Sequence, residues 1–249
     1  MKPRFPRAQP KERAVPPGAS LPFPILFSSP QALVIDKPAG LPVHPGPRGG
    51  PSVEDWFPLM SRRRDGPWLA HRLDTDTAGC LAIALRKQAL LTMQTCFASG
   101  QARKTYWAVV EGVPDESGEI DQPLRKVSSP AAGWKMELHP SGQAARTSWR
   151  RLGTDGHISW LELSLHTGRT HQARVHCAAL GTPILGDPVY GTRTPNVSML
   201  HLFSRRLELP LGAPIAATAS PPAHMLTALT RCGFRETLQP QDGNLPVSS

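Results

Sequence analysis

Short apolar runs recur in neighbouring pairs along this chain, with Gly- and Pro-rich turns between them. This spacing limits the fold more than any other feature. Ala32 to Lys37 is one such run, closed by Pro38-Ala39-Gly40, and reads as a buried strand and a loop. Lys104 to Glu111 reads as a strand with Tyr106, Ala108 and Val110 on one face and Thr105, Trp107 and Val109 on the other. Ala145 to Leu152 and His157 to Leu165 form a hairpin across Gly153-Thr154-Asp155-Gly156, with Leu161, Leu163 and Leu165 on one side.

Helical periodicity lies between the strands. Lys87 to Ser99 stops at Gly100, Thr170 to Leu180 stops at Gly181, and a last helix follows Pro221-Pro222 to about Arg231. Val53 to Met60 is a short helix, Cys80 to Leu85 a buried strand, and Pro45 to Pro51 a loop. Pro114 to Gly142 is turn-rich and has no clear period. Adjacent strand pairs with interspersed helices predict one α+β domain built on a mixed, mostly antiparallel sheet. Its expected limits are residues 23–237, between a flexible basic Pro-rich tail at 1–22 and a loose tail at 238–249. The basic tail is either a passive leader or an arm that touches RNA backbone.

Composition excludes several classes. No apolar run approaches the roughly 20 residues of a membrane span, and no apolar stretch follows the basic N-terminus as in a signal peptide. A cytoplasmic protein is expected, with a monomer as the default. Cys80, Cys96, Cys177 and Cys232 are widely spaced with no Cys-x-x-Cys pair, so free buried thiols are expected rather than a zinc or redox site. The formal charge is +9, from 28 Lys and Arg against 19 Asp and Glu, which favours phosphate contact. Genomic base bias raises Arg together with Pro, so charge alone does not decide.

Three segments can carry chemistry. His71-Arg72-Leu73-Asp74-Thr75-Asp76-Thr77-Ala78-Gly79 sets a carboxylate in a polar loop before a buried strand. Such a carboxylate is either a catalyst held by a rigid sheet or an Asx-turn former. In Thr167-Gly168-Arg169-Thr170-His171-Gln172-Ala173-Arg174-Val175-His176, Thr170 can cap a helix. His171 and Arg174 are spaced to share one helical face. His166, His171 and His176 are five apart, which suits no metal site, and no metal is expected. Arg103-Lys104-Thr105-Tyr106-Trp107-Ala108 interleaves basic and aromatic residues, with Tyr106 either in the core or stacking on a base.

These three segments, in this order, resemble the RluA-type family of pseudouridine synthases. Its members carry His-Arg-Leu-Asp, then Lys-x-Tyr-x-Ala, then Gly-Arg-x-His-Gln-aliphatic-Arg. The resemblance continues at Asp36 to His44, at Gly181 to Asp187 with Tyr190, and at His201-Leu202 before a final sheet segment. It runs from about residue 30 to about 210. Ala78 and Ala173 depart from the family's usual Ser and Ile or Leu, without removing a charge.

The resemblance implies a single catalytic domain with a central RNA-binding cleft. The implied reaction isomerises specific uridines in structured ribosomal or transfer RNA, without a cofactor, by flipping out the base. It assigns catalysis to Asp74, with Arg174 as its ion-pair partner, because a guanidinium favours the charged form of a buried carboxylate. Tyr106 is also catalytic, stacking on the flipped base and helping to remove the C5 proton, and Arg72 enters the space that the base leaves. Lys37, Arg103, Lys104, Arg169 and His171 are the expected RNA contacts.

Two rivals remain at this stage. Asp74-Thr75-Asp76-Thr77 matches the Asp-x-Asp-x-Thr of haloacid-dehalogenase-like phosphatases, but Ala70-His71-Arg72-Leu73 is too polar for the strand that should precede it. A noncatalytic RNA-binding module is disfavoured by the joint presence of Asp74, Tyr106 and Arg174.

Overall fold

The computed structural model describes residues 20–46, 49–63, 65–129, 133–192, 195 and 197–235. The expected tails at 1–22 and 238–249 therefore fall almost wholly outside the described residues, although Leu21 already packs against the core.

Strands and helices are numbered in chain order. One sheet runs β1 (Ile25–Ser28), β2 (Ala32–Lys37), β4 (Ala78–Ala84), β11 (Leu202–Leu209), β5 (Arg103–Glu111), β10 (Ile158–Leu165), β9 (Arg146–Thr154), β6 (Ser117–Asp121). β3 (Trp68–Leu69) pairs with β4, and β12 (Ile215–Thr218) with β11. Among the described residues only β4 and β11 pair in parallel, so the sheet is mixed and mostly antiparallel, as expected.

Each face of the sheet carries its own core. Trp107 and Val109 face one side, with Ala89, Met93 and Cys96 of α2 (Lys87–Ala98) and Met225 and Leu229 of α4 (Ala223–Arg231). Tyr106, Ala108 and Val110 face the other, with Leu161, Leu163 and Leu165 of β10 and Ala173 and Cys177 of α3 (Gln172–Ala179). Alternate side chains of an extended strand point to opposite faces. The reading of β5 and β10 from alternation therefore holds residue by residue. All four cysteines are buried and unpaired. Val53 to Met60 is helical as expected, a 3-10 turn (Val53–Trp56) running into α1 (Phe57–Met60).

The turn-rich stretch holds strands that its composition hid. Beyond β6, β7 (Leu124–Ser129) and β8 (Gly133–Leu138) form a separate two-stranded ribbon. Their side chains are mostly exposed or half-buried, so no apolar period marks them in sequence.

The parallel contact between β4 and β11 sets the loop that carries Asp74. Ser204 lies beside Gly79, and a Cβ on Gly79 would stand 2.2 Å from the Ser204 carbonyl oxygen. Gly79 also has φ +102°, a conformation that side chains of L-residues rarely adopt. Gly79 thus lets β4 start hard against β11, directly after the His71–Asp74 segment.

Candidate active site

The His71–Asp74 segment is anchored at its first residue. His71 Nε2 accepts the Ala82 backbone N–H at 3.0 Å, and its ring packs against Phe97 at 4.6 Å between centroids. Burial, reinforced by the nearby Lys104 charge, pulls its pKa down to about 3, so the imidazole is neutral and acts as an acceptor. The far side of the loop is tied by Lys37. Its Nζ donates to the carbonyl oxygens of Pro38 at 2.9 Å, Leu41 at 2.7 Å and Thr75 at 2.9 Å. Gly40 N–H also bonds to the Thr75 carbonyl at 2.9 Å. An ammonium has three protons, and all three are engaged.

Lys37 therefore corrects the sequence reading. Its side chain is fully buried, and burial lowers its pKa to about 8 against the opposing pull of Asp76 and Asp74. It is a staple beneath the Asp74 loop, with no proton free for a phosphate. Arg103 is exposed on β5, in register with Glu208 of β11, and does not line the cavity that Lys104 lines.

Asp74 opens into a cavity of about 410 Å³. Its walls include Arg72, Tyr106, Lys104, Arg169, His171 and Arg174, together with Gln94 and Phe97 of α2. Six of the residues singled out as site or RNA contacts thus meet Asp74 in one place. Such a volume lies within the roughly 300–1,000 Å³ of small-ligand clefts. The Asp74 side chain is 19% exposed, reachable from the cavity yet largely shielded. Tyr106 forms part of the buried floor. Burial raises its phenol pKa, the Asp74 charge adds to that rise, and a hydrogen bond with Ser204 only partly offsets it, so the phenol is neutral.

The expected Asp74–Arg174 pair is present but is the weaker half of a triad. Arg174 Nη1 lies 3.9 Å from Asp74 Oδ2. The same guanidinium is gripped in bidentate fashion by Asp187, with Nε to Oδ2 and Nη2 to Oδ1 both at 2.7 Å. Planar guanidinium and carboxylate match in this way, which fixes orientation as well as charge. Asp187 also accepts the N–H groups of Val189 at 2.9 Å and Tyr190 at 3.0 Å. Burial would raise its pKa, but the Arg174 bonds and these N–H groups outweigh it and hold the carboxylate below its ordinary range. Asp187 and Tyr190 lie in the Gly181 to Tyr190 stretch of the family resemblance, where the sequence alone assigns neither a role.

Helix α3 begins one residue later than the expected Thr170 cap. The residue before it is His171, in a left-handed conformation at φ 53°, ψ 18°. No side chain caps the helix; instead Gln172 bridges to Thr167 and to Arg146 and Thr147 on β9. His166 meets Ser148, whereas His176 meets Thr147 and the Gln122 carbonyl. The three imidazoles therefore meet different partners and do not converge on one point. Lys104 Nζ donates to the Thr167 carbonyl at 2.7 Å, and Arg169 Nε to the Ala144 carbonyl at 2.9 Å. Burial, with Arg169 nearby, lowers the Lys104 pKa to about 8.

The sequence profile described as RNA pseudouridylate synthase matches residues 31–179, which carry all three motifs and every catalytic candidate. The chain belongs to the RluA-type family of RNA pseudouridine synthases. An uncharacterized RNA pseudouridine synthase of Zymomonas mobilis is 41% identical over 150 residues, 59% of this chain and 68% of that protein. Ribosomal large subunit pseudouridine synthase D of Nitrosomonas europaea is 33% identical over 185 residues, 72% of this chain and 53% of its own length. Apart from the Zymomonas protein, the chain spans about half the length of the curated relatives it matches. Among solved structures, human RNA pseudouridylate synthase domain containing 4 superposes with TM-score 0.71 at 27% identity, over 84% of this chain and 92% of that one. This family fold leaves no place for the phosphatase reading of Asp74-Thr75-Asp76-Thr77.

Proposed function

We propose that this chain converts specific uridines to pseudouridine in structured RNA, with ribosomal RNA as the first substrate to test and transfer RNA the second. One observation carries the reading: Asp74, Tyr106 and Arg174 converge on one partly shielded cavity whose rim is basic. The large-subunit synthase D among the relatives supports the choice of ribosomal RNA.

The reaction breaks the bond between uracil N1 and the ribose and forms one from C5 to the same ribose carbon; C5 releases its proton to solvent and N1 takes one up. Nothing is oxidised or reduced, so the atoms balance without a cofactor. Asp74 supplies the reacting carboxylate. The uridine is flipped from its helix into the cavity, where the buried Tyr106 ring offers a stacking face. Arg72, exposed at the mouth, fills the gap in the helix. Lys104 and Arg169 remain as phosphate contacts, and their bonds to the Thr167 and Ala144 carbonyls aim them along the rim.

Mapping pseudouridines in ribosomal and transfer RNA from cells with and without the gene tests this reading. Loss of modification at defined uridines, restored by the wild-type gene, is expected. An unchanged map in both RNA classes would overturn it.

A further inference from the structure

His171 was expected to contact RNA. It is the only residue other than glycine with positive φ among the described residues. A non-glycine residue in that region costs on the order of 1 kcal/mol or more and persists only where its surroundings hold it. Here the surroundings are specific. Trp134 stacks on the imidazole at 5.0 Å and 29°, and the Tyr190 ring meets it edge-on at 5.6 Å. Nδ1 lies 2.9 Å from the Tyr190 hydroxyl, and Nε2 lies 3.9 Å from Asp74 Oδ2.

The hydrogen-bond chain favours one placement of the imidazole proton. The Met136 backbone N–H can only donate, and it donates to the Tyr190 oxygen at 2.9 Å. The phenol is neutral, since burial raises its pKa, so its own proton is left for His171 Nδ1. An imidazole that accepts at Nδ1 carries its proton on Nε2, the edge that faces Asp74. In the opposite tautomer the phenol proton would have no acceptor there, and a nitrogen lone pair would face a carboxylate oxygen.

Arg174 spends its two short bonds on Asp187 and offers Asp74 only Nη1 at 3.9 Å. His171 offers a second donor to the same oxygen, Oδ2. We propose that His171 is a positioning residue: as a neutral, Nε2-protonated imidazole set by Tyr190, it holds Oδ2 of Asp74 together with Arg174 and so presents Oδ1 to the uridine. At 3.9 Å the donor is beyond direct hydrogen-bond reach. Catalytic hydrogen bonds are commonly long before substrate binds and tighten in the complex. Trp134 and Met136 both belong to β8, so the docking of the β7–β8 ribbon sets the orientation of the reacting carboxylate.

The inference rests on Asp74 as the reacting group, so D74N is measured beside it. The assay is the single-turnover rate at saturating RNA, with RNA affinity measured separately. H171A is expected to lose about 10- to 100-fold in rate, the scale of a slightly misplaced reacting group, with RNA affinity unchanged. H171Q, whose amide N–H reaches close to the Nε2 position, recovers most of that loss. Imidazole ¹⁵N–¹H spectra of the wild type should show His171 protonated on Nε2, and Y190F should shift it toward a mixture of tautomers. A wild-type rate in H171A, a loss confined to RNA affinity, or an Nδ1–H or doubly protonated ring in the wild type at neutral pH would each overturn the proposal. If H171A fails to fold, the wild-type and Y190F spectra decide alone. An inactive D74N beside a fully active H171A sinks only this inference, whereas a fully active D74N sinks the catalytic reading itself.

Discussion

Replacing Asp187 by Asn separates the structural account of Arg174 from one in which Asp74 is its main partner. Arg174 is 4% exposed and Asp187 0%, so solvent screens neither. Asp187→Asn keeps the shape and the acceptor for the backbone N–H groups but removes the charge. Among the described residues, the buried guanidinium then keeps Asp74, at 3.9 Å, as its one anionic neighbour. Removing one member of a buried pair costs about 3–5 kcal/mol. With an m-value near 3 kcal/mol per M, the upper end of the ordinary range, the urea midpoint should fall by about 1–1.7 M at pH 7.

The pH dependence carries a second signature. The folded pKa of Asp187 is depressed, so its contribution is fully present above its ordinary value near 3.9. It is lost as pH falls through the lower folded value. The gap between wild type and D187N should therefore be widest near neutrality and close below about pH 4. A midpoint shift at pH 7 below about 0.3 M, with an unchanged m-value, would mean that Asp187 is not the main partner of Arg174.

Four further outcomes rest on the same geometry. Gly79→Ala meets the Ser204 carbonyl at 2.2 Å and a φ of +102°, so it should lower the thermal midpoint far more than a typical surface substitution, with backbone strain alone costing about 1–3 kcal/mol. Lys37→Met leaves the Pro38 and Leu41 carbonyl oxygens without their Lys37 donor and Thr75 with the Gly40 N–H alone, and should cost about 2–4 kcal/mol in urea unfolding, while the salt dependence of RNA affinity stays unchanged. Lys104→Met should instead reduce the slope of log affinity against log salt by about 1. In the wild type, RNA affinity should weaken as pH rises through about 8, where Lys104 loses its proton, and K104R should remove that dependence.

Much of this was legible because it is local. β2, β5 and α2 follow from periodicity, and their bounds lie within about one residue of the sequence reading. The catalytic candidates follow from motifs whose residues were named in order, and the fold brings Asp74, Tyr106 and Arg174 to one cavity. What escaped depends on partners far along the chain. Lys37 looks like any surface lysine until Thr75, 38 residues away, supplies one of its acceptors. Arg174 finds Asp187 13 residues on, a contact that no helical spacing anticipates. Trp134 sits 45% exposed on a ribbon whose polar faces carry no period, so its stacking on His171 has no sequence signal. Thr170 fits the residue preferences of a helix cap, yet the left-handed His171 takes that position because its ring is held on both sides.

The central claim, that Asp74 is the reacting carboxylate, is tested most directly with ribosomal RNA transcribed without modification and labelled with tritium at uridine C5. Each conversion to pseudouridine expels that tritium to water. The wild type should release it in a single turnover. D74N should release none above background while still binding the RNA. Tritium release by D74N at the wild-type rate would contradict the account.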